Sequence, residues 1–245
     1  MKNLSYFFSM FIFLLFLSCT EEHEKDITAK VVISNSRSLD NCMPDSSDFD
    51  FATCTSSDYI TTVTISDYPN CVLSIRVPRL LCYNTTTAFL VLGNIEITSS
   101  GCSGTNQFEI DRLNAINAGT TAYQNFINPI LAEIYGIITP NIIASLSNLT
   151  QSVLFVEYVS AECVQTCLYE EYRGEFSYLN YIDINCGESC CKRTDLYQKE
   201  NGIWVRKEIQ YESNSTSCGN PVESCPNSTI SSTECYGRCN IWTDF

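Results

Sequence analysis

The chain has 245 residues, 44% of them apolar and 12% aromatic, with 14 basic against 28 acidic side chains, one histidine and 15 cysteines. That apolar share excludes a disordered chain and supplies a core for one large or two modest domains. The acidic excess opposes binding to nucleic acid or to anionic membrane surfaces, because both attract Lys and Arg.

Residues 1–18 read as a signal peptide: Lys2 is a sparse basic start, 10–17 are apolar, and the small Ser18 precedes Cys19. The apolar run is too short to span a bilayer, and no later stretch approaches the ~20 apolar residues that a spanning helix needs. The string Phe16-Leu17-Ser18-Cys19 resembles a bacterial lipobox, with Phe16 where leucine is commoner. The resemblance implies that Cys19 is lipidated and becomes the new N-terminus. Glu21, Glu22, Glu24 and Asp26 follow, and they are similar to the acidic export signal of surface-exposed lipoproteins of Bacteroidetes type. This implies an exported chain held by lipid in the outer membrane or at the cell surface, with the membrane as one partner. Two alternatives stay open, an ordinary secretory signal cut near Ser18 or Thr20 and a plain solvated tether. Loss of residues 1–18 removes Lys2, leaving 13 basic and 28 acidic residues, a net charge of −15.

Four segments are expected: 1–18 as signal, 19–58 as lipidated cysteine, acidic tether and first strand or loop, 59–211 as a β-rich body, and 212–245 as a cystine-rich segment tied to it. Residues 27–33 alternate and predict a first strand. The polar run with Asp40, Asp45, Asp48 and Asp50 lacks the register of a calcium loop and reads as solvated. Strands are predicted over 60–65, 71–77, 80–83 and 88–98, punctuated by Asp67, Pro69, Pro78, Asn84 and Gly93. Phe108 and Ile110 alternate with Glu109 and Asp111 and suggest one more strand. Over 120–147 the apolar residues recur at three- and four-residue steps, which predicts a short helical insertion. Its pieces are expected to start at Asn128-Pro129 and again at Thr139-Pro140, since proline fits a first turn better than an interior. Strands resume over 153–158, 163–169 and 176–184. The fold class is therefore mainly β, an antiparallel sheet or sandwich with a helical insertion, and disulfide-rich.

The stretch 186–211 reads as a cystine-pinned hairpin. Asn201-Gly202 favours a type I′ turn because both residues tolerate positive φ. The turn sets Glu200 opposite Ile203, Lys199 opposite Trp204, Gln198 opposite Val205 and Tyr197 opposite Arg206. Alternation then puts Arg193, Tyr197, Lys199, Trp204 and Arg206 on one face and Leu196, Val205 and Ile209 on the other. The apolar second face reads as core. The first, with aromatic rings flanked by cations, reads as a candidate contact surface for a glycan or an envelope protein. The competing reading is a self-satisfied ladder that shields the sheet.

Cys19 apart, fourteen cysteines remain: Cys42, Cys54, Cys71, Cys82, Cys102, Cys163, Cys167, Cys186, Cys190, Cys191, Cys218, Cys225, Cys235 and Cys239. An even number in an exported chain predicts a disulfide framework. Five lie before residue 103 and nine after 162, so full pairing requires at least one bridge between the halves. Adjacent Cys190 and Cys191 point to opposite faces of a strand and should staple it to two neighbours.

With His23 the only histidine, placed in the tether, the body lacks Ser-His-Asp and Cys-His machinery. No phosphate-binding loop or dinucleotide fingerprint occurs, and no cofactor or metal is expected. Carboxylate chemistry survives as the enzymatic alternative, a glycoside hydrolase drawing on Glu157, Glu162, Glu170, Glu171, Glu175 or Asp183. The sequons at Asn84, Asn148, Asn214 and Asn227 support a different alternative, a eukaryotic secreted protein carrying N-glycans.

Overall fold

The computed structural model describes residues 42–44, 53–173, 176–187, 190–212, 218, 220 and 224–242. The expectations for Cys19, the 27–33 strand, the aspartate-rich loop, Glu175 and the Asn214 sequon lie outside these residues. Among the described residues the fold is mainly β, as the patterning predicts, and is arranged as two sheets with two helices.

The larger sheet has seven strands. β1 (Thr53–Val63) pairs with β2 (Cys71–Tyr83) along its whole length. The other edge of β2 is shared by β3 (Thr87–Leu92) and β4 (Glu96–Cys102). β3 then pairs with β5 (Val153–Ala161), which pairs with β8 (Cys190–Glu200), and β9 (Ile203–Glu212) closes the sheet. The β3–β5 pair is parallel, so the sheet is mixed and not purely antiparallel. Parallel neighbours need a long crossover, and β4 with the two helices supplies it.

The expected strand at Phe108 is instead helix α1 (Gln107–Asn117). Asn106 caps it by accepting from the Glu109 amide, and Phe108, Arg112 and Ile116 are buried at four-residue spacing, which outweighs a two-residue alternation. Helix α2 (Thr120–Ser145) is one continuous helix, although two starts are expected from its prolines. Pro129 and Pro140 both stand on its exposed side, as do Asn125 and Gly136, whose carbonyls the prolines deprive of donors. Those carbonyls can turn to water. By length and composition α2 could cross a membrane, contrary to the expectation for later stretches, yet Tyr135, Ile138 and Ile142 are fully buried in the core.

The smaller sheet is antiparallel. Its centre is β6 (Cys163–Arg173), with β7 (Phe176–Asn185) on one side and β10 (Thr229–Ser232) and β11 (Tyr236–Gly237) on the other. A 3₁₀ turn (Cys239–Trp242) follows. One main core joins both sheets and both helices. A smaller cluster of Leu80, Cys82, Val91 and Val159 packs with Cys42 and Met43. The buried side of β2 changes from odd positions to Leu80 and Cys82 after Pro78. The C-terminal segment, expected to be held by bridges without a core, also buries Tyr236 and Ile241.

Seven bridges use all fourteen cysteines from Cys42 onward: 42–190, 54–82, 71–102, 163–218, 167–225, 186–235 and 191–239. Cys42–Cys190 is the bridge between halves that the odd groups demand. Cys190 and Cys191 go to different partners, as strand alternation predicts.

Candidate functional site

The hairpin forms with the expected register from Glu200↔Ile203 to Tyr197↔Arg206, and Asn201 and Gly202 have φ of 52° and 84°. A bulge follows between Leu196 and Tyr197, which resets β9 beyond Arg206. The faces, however, are the reverse of those expected. Arg193, Tyr197 and Trp204 are buried, whereas Leu196 and Val205 are half-buried and Ile209 is exposed.

The inward face is the aromatic and cationic one because each polar group on it has a partner there. Trp204 Nε1 donates to the Leu146 carbonyl at 3.1 Å. Lys199 Nζ donates to the carbonyls of Ser147 (2.7 Å) and Leu149, and lies 5.2 Å from the Trp204 ring. The two side chains therefore serve carbonyls at the C-terminal end of α2, where a cation is also favoured by the helix dipole. Arg193 donates through Nε and Nη2 to both oxygens of Asp195, at 2.7 and 2.9 Å, with both side chains fully buried. Arg206, 45% exposed, adds a 3.4 Å contact to the same carboxylate. The expected outward contact surface is thus corrected to a buried ladder, of which Arg206 and part of Lys199 remain accessible. Asp195 is the member that the face assignment omitted. Its position two residues from Arg193 on one strand was the available signal.

A second polar constellation joins α1, α2 and the smaller sheet. The Arg112 guanidinium lies 3.6 Å from the centre of the Tyr181 ring and donates to the Tyr123 hydroxyl at 3.4 Å. Arg238 Nη2 donates to Asp183 at 2.6 Å and to the Tyr236 hydroxyl at 3.1 Å. Asp183 also accepts from Thr166 at 2.5 Å, and Ser100 donates to Glu109 at 2.6 Å. Burial opposes the charge on Arg112 and Arg238, but Tyr123 and Glu109 around the first, and Asp183 and Tyr236 around the second, hold both above the ordinary guanidinium value. Burial also pushes the Tyr123, Tyr181 and Tyr236 phenols up, and the neutral hydroxyls of Tyr123 and Tyr236 accept from the two arginines. These groups can orient one another and hold the sheets together.

The carboxylates considered for glycoside hydrolysis do not all share one face, although Glu170 and Asp183 fall on one side of the smaller sheet, four residues apart in register. Glu157 lies on the larger sheet, paired with Lys192 at 2.7 Å. Glu170 and Glu171 are neighbours on β6 and so point to opposite faces, while Asp183 is engaged by Arg238 and Thr166. Burial raises the Glu96 carboxyl against the pull of Arg76, its partner at 3.0 Å. Among the described residues, no group of three or more His, Cys, Asp or Glu is placed to hold a metal ion. Of the sequons, Asn148 and Asn227 are exposed, whereas the Asn84 side chain accepts from the Thr86 and Thr87 amides. Comparison with protein-family models, with curated proteins and with solved structures returned no match.

Proposed function

We propose that the chain is an exported lipoprotein, held in the outer membrane or at the cell surface by a lipidated Cys19, with a binding or structural role in the envelope. The observation that carries this reading is cysteine arithmetic. Seven bridges account for fourteen of the fifteen cysteines, and the one left is Cys19, directly after Leu17-Ser18. A chain with this many bridges belongs in an oxidising compartment. Several acyl chains on one cysteine, at about 0.8 kcal/mol per buried methylene, anchor a body durably. The burial of the hairpin's aromatic face favours the structural side of the role. For the binding side, the net charge of −15 after removal of Lys2 favours a basic protein segment or a neutral glycan over an acidic one.

The test is the intact mass of the mature protein from its native host. A chain beginning at Cys19 with a thioether-linked diacylglyceryl group is the expected result. An unmodified N-terminus near Ser18 or Thr20 overturns the reading, and hexose-bearing Asn148 or Asn227 would replace it with the secreted alternative. For recognition, retention of a glycan or envelope-protein panel is compared between wild type and Arg206→Ala. Retention that does not change removes the hairpin as the contact.

A further inference from the structure

Two neighbours at the start of β8 are both cysteines, and strand alternation points them to opposite faces of the larger sheet. Cys190 is bridged to Cys42, which packs on the small cluster of Leu80, Cys82, Val91 and Val159 and also touches the main core. Cys191 belongs to the main core and is bridged to Cys239, which packs against that core. A covalent route therefore crosses the sheet from Cys42 to Cys239. Its Cα–Cα steps are 5.7 and 5.6 Å, joined by a single peptide unit. The whole route is about 15 Å long, and it is an alternative to the path along the chain from Cys42 to Cys239.

We propose that this adjacent pair makes the body a covalent strut. Tension applied between the N-terminal tether and the C-terminal segment runs Cys42–Cys190–Cys191–Cys239 and, apart from the first two residues of β8, bypasses the strands and helices. Without the strut, the pull from the tether would reach Cys54 at the second residue of β1, an edge strand paired only with β2. Cys54–Cys82, at the N-terminal end of β1, would then pass the pull to β2 and leave the chain beyond Cys102 to extend. With the strut in place, hydrogen bonds carry none of the load. The device suits a protein tied to a membrane at one end and holding something at the other. That use rests on the lipoprotein reading, whereas the strut itself does not.

The experiment is single-molecule stretching of the oxidised chain, exported behind an ordinary secretory signal, with one handle before residue 20 and another after Phe245. The wild type should lengthen only by its free ends, with no unfolding step before the handles fail. Cys42→Ala/Cys190→Ala should lengthen by steps totalling on the order of 300 Å, and the fully reduced chain by on the order of 700 Å. A step of hundreds of ångströms in the oxidised wild type overturns the proposal. Should the double variant fail to fold, a non-reduced digest of the wild type decides. The expected result is one cluster joining the peptides that carry Cys42, Cys190-Cys191 and Cys239, and separate peptides overturn it. Failure of Cys19 lipidation would leave both results untouched.

Discussion

Arg193 and Asp195 are two residues apart on β8 and both wholly buried. A buried pair of this kind adds little over an apolar pair of the same shape, but removal of one partner takes the counter-charge from the other. Asp195→Ala is expected to cost about 3–5 kcal/mol, whereas Arg206→Ala, at the exposed end of the same cluster, should cost less than about 1 kcal/mol. Urea unfolding of the oxidised chain, followed by tryptophan fluorescence, measures both, and equal losses would contradict the assignment of Asp195 to Arg193. Trp204→Phe keeps most of the packing but leaves the Leu146 carbonyl without its indole donor. A loss of about 1–3 kcal/mol is expected in the same assay.

At the scale of elements, α2 is the least typical. It is a 26-residue helix with two interior prolines, each of which removes a hydrogen bond. Both face solvent, so the helix keeps its buried stripe of Tyr123, Ile127, Ile130, Ile134, Ile138 and Ile142 uninterrupted. Packing of that stripe, and not local propensity, holds the helix together. Pro140→Ala restores a donor for the Gly136 carbonyl and should stabilise the protein by about 1–2 kcal/mol, the helix gain less the freedom returned to the unfolded chain. A rise in the urea midpoint reads this out. A fall would mean that the core is fitted to a proline-bent helix. The end of α2 is as informative as its middle, because Trp204 and Lys199 of the hairpin satisfy the carbonyls there.

At the scale of the whole molecule, one bridge joins the two cysteine groups, and tyrosines of both sheets and of α2 are withdrawn from water. The phenols of Tyr123, Tyr158, Tyr181 and Tyr236 are pushed above their ordinary value of 10.0 by burial. Below that value both folded and unfolded chains keep these protons, so the stability is complete. Above it the unfolded chain releases protons that the folded chain retains, and stability falls as pH rises. The urea midpoint is therefore expected to be flat up to about pH 9 and to drop steeply by about pH 11. Ordinary titration of all the phenols in the folded protein would contradict this. Loss of Cys42–Cys190, which closes the longest loop with a separation of 148 residues, should cost on the order of 4 kcal/mol in the same assay.

Legibility follows the range of the interactions. The hairpin register was readable because two residues, Asn201 and Gly202, set it locally through positive φ. The existence of a bridge between the halves was readable because parity needs no geometry. The helix at 107–117 was not, since four alternating residues fit either period and only the packing of Phe108, Arg112 and Ile116 decides between them. The inner face of the hairpin is not legible in the sequence for a related reason. Alternation sorts side chains into two sets but does not say which set meets the core, and a cation can go inward once Asp195 or a helix end receives it. The sequence by itself determined the β-rich class, the turn, the paired cysteines and the singular position of Cys19. Only the tertiary structure decided which cysteines join and which hairpin face is buried, because those depend on surfaces far apart in the chain meeting in space.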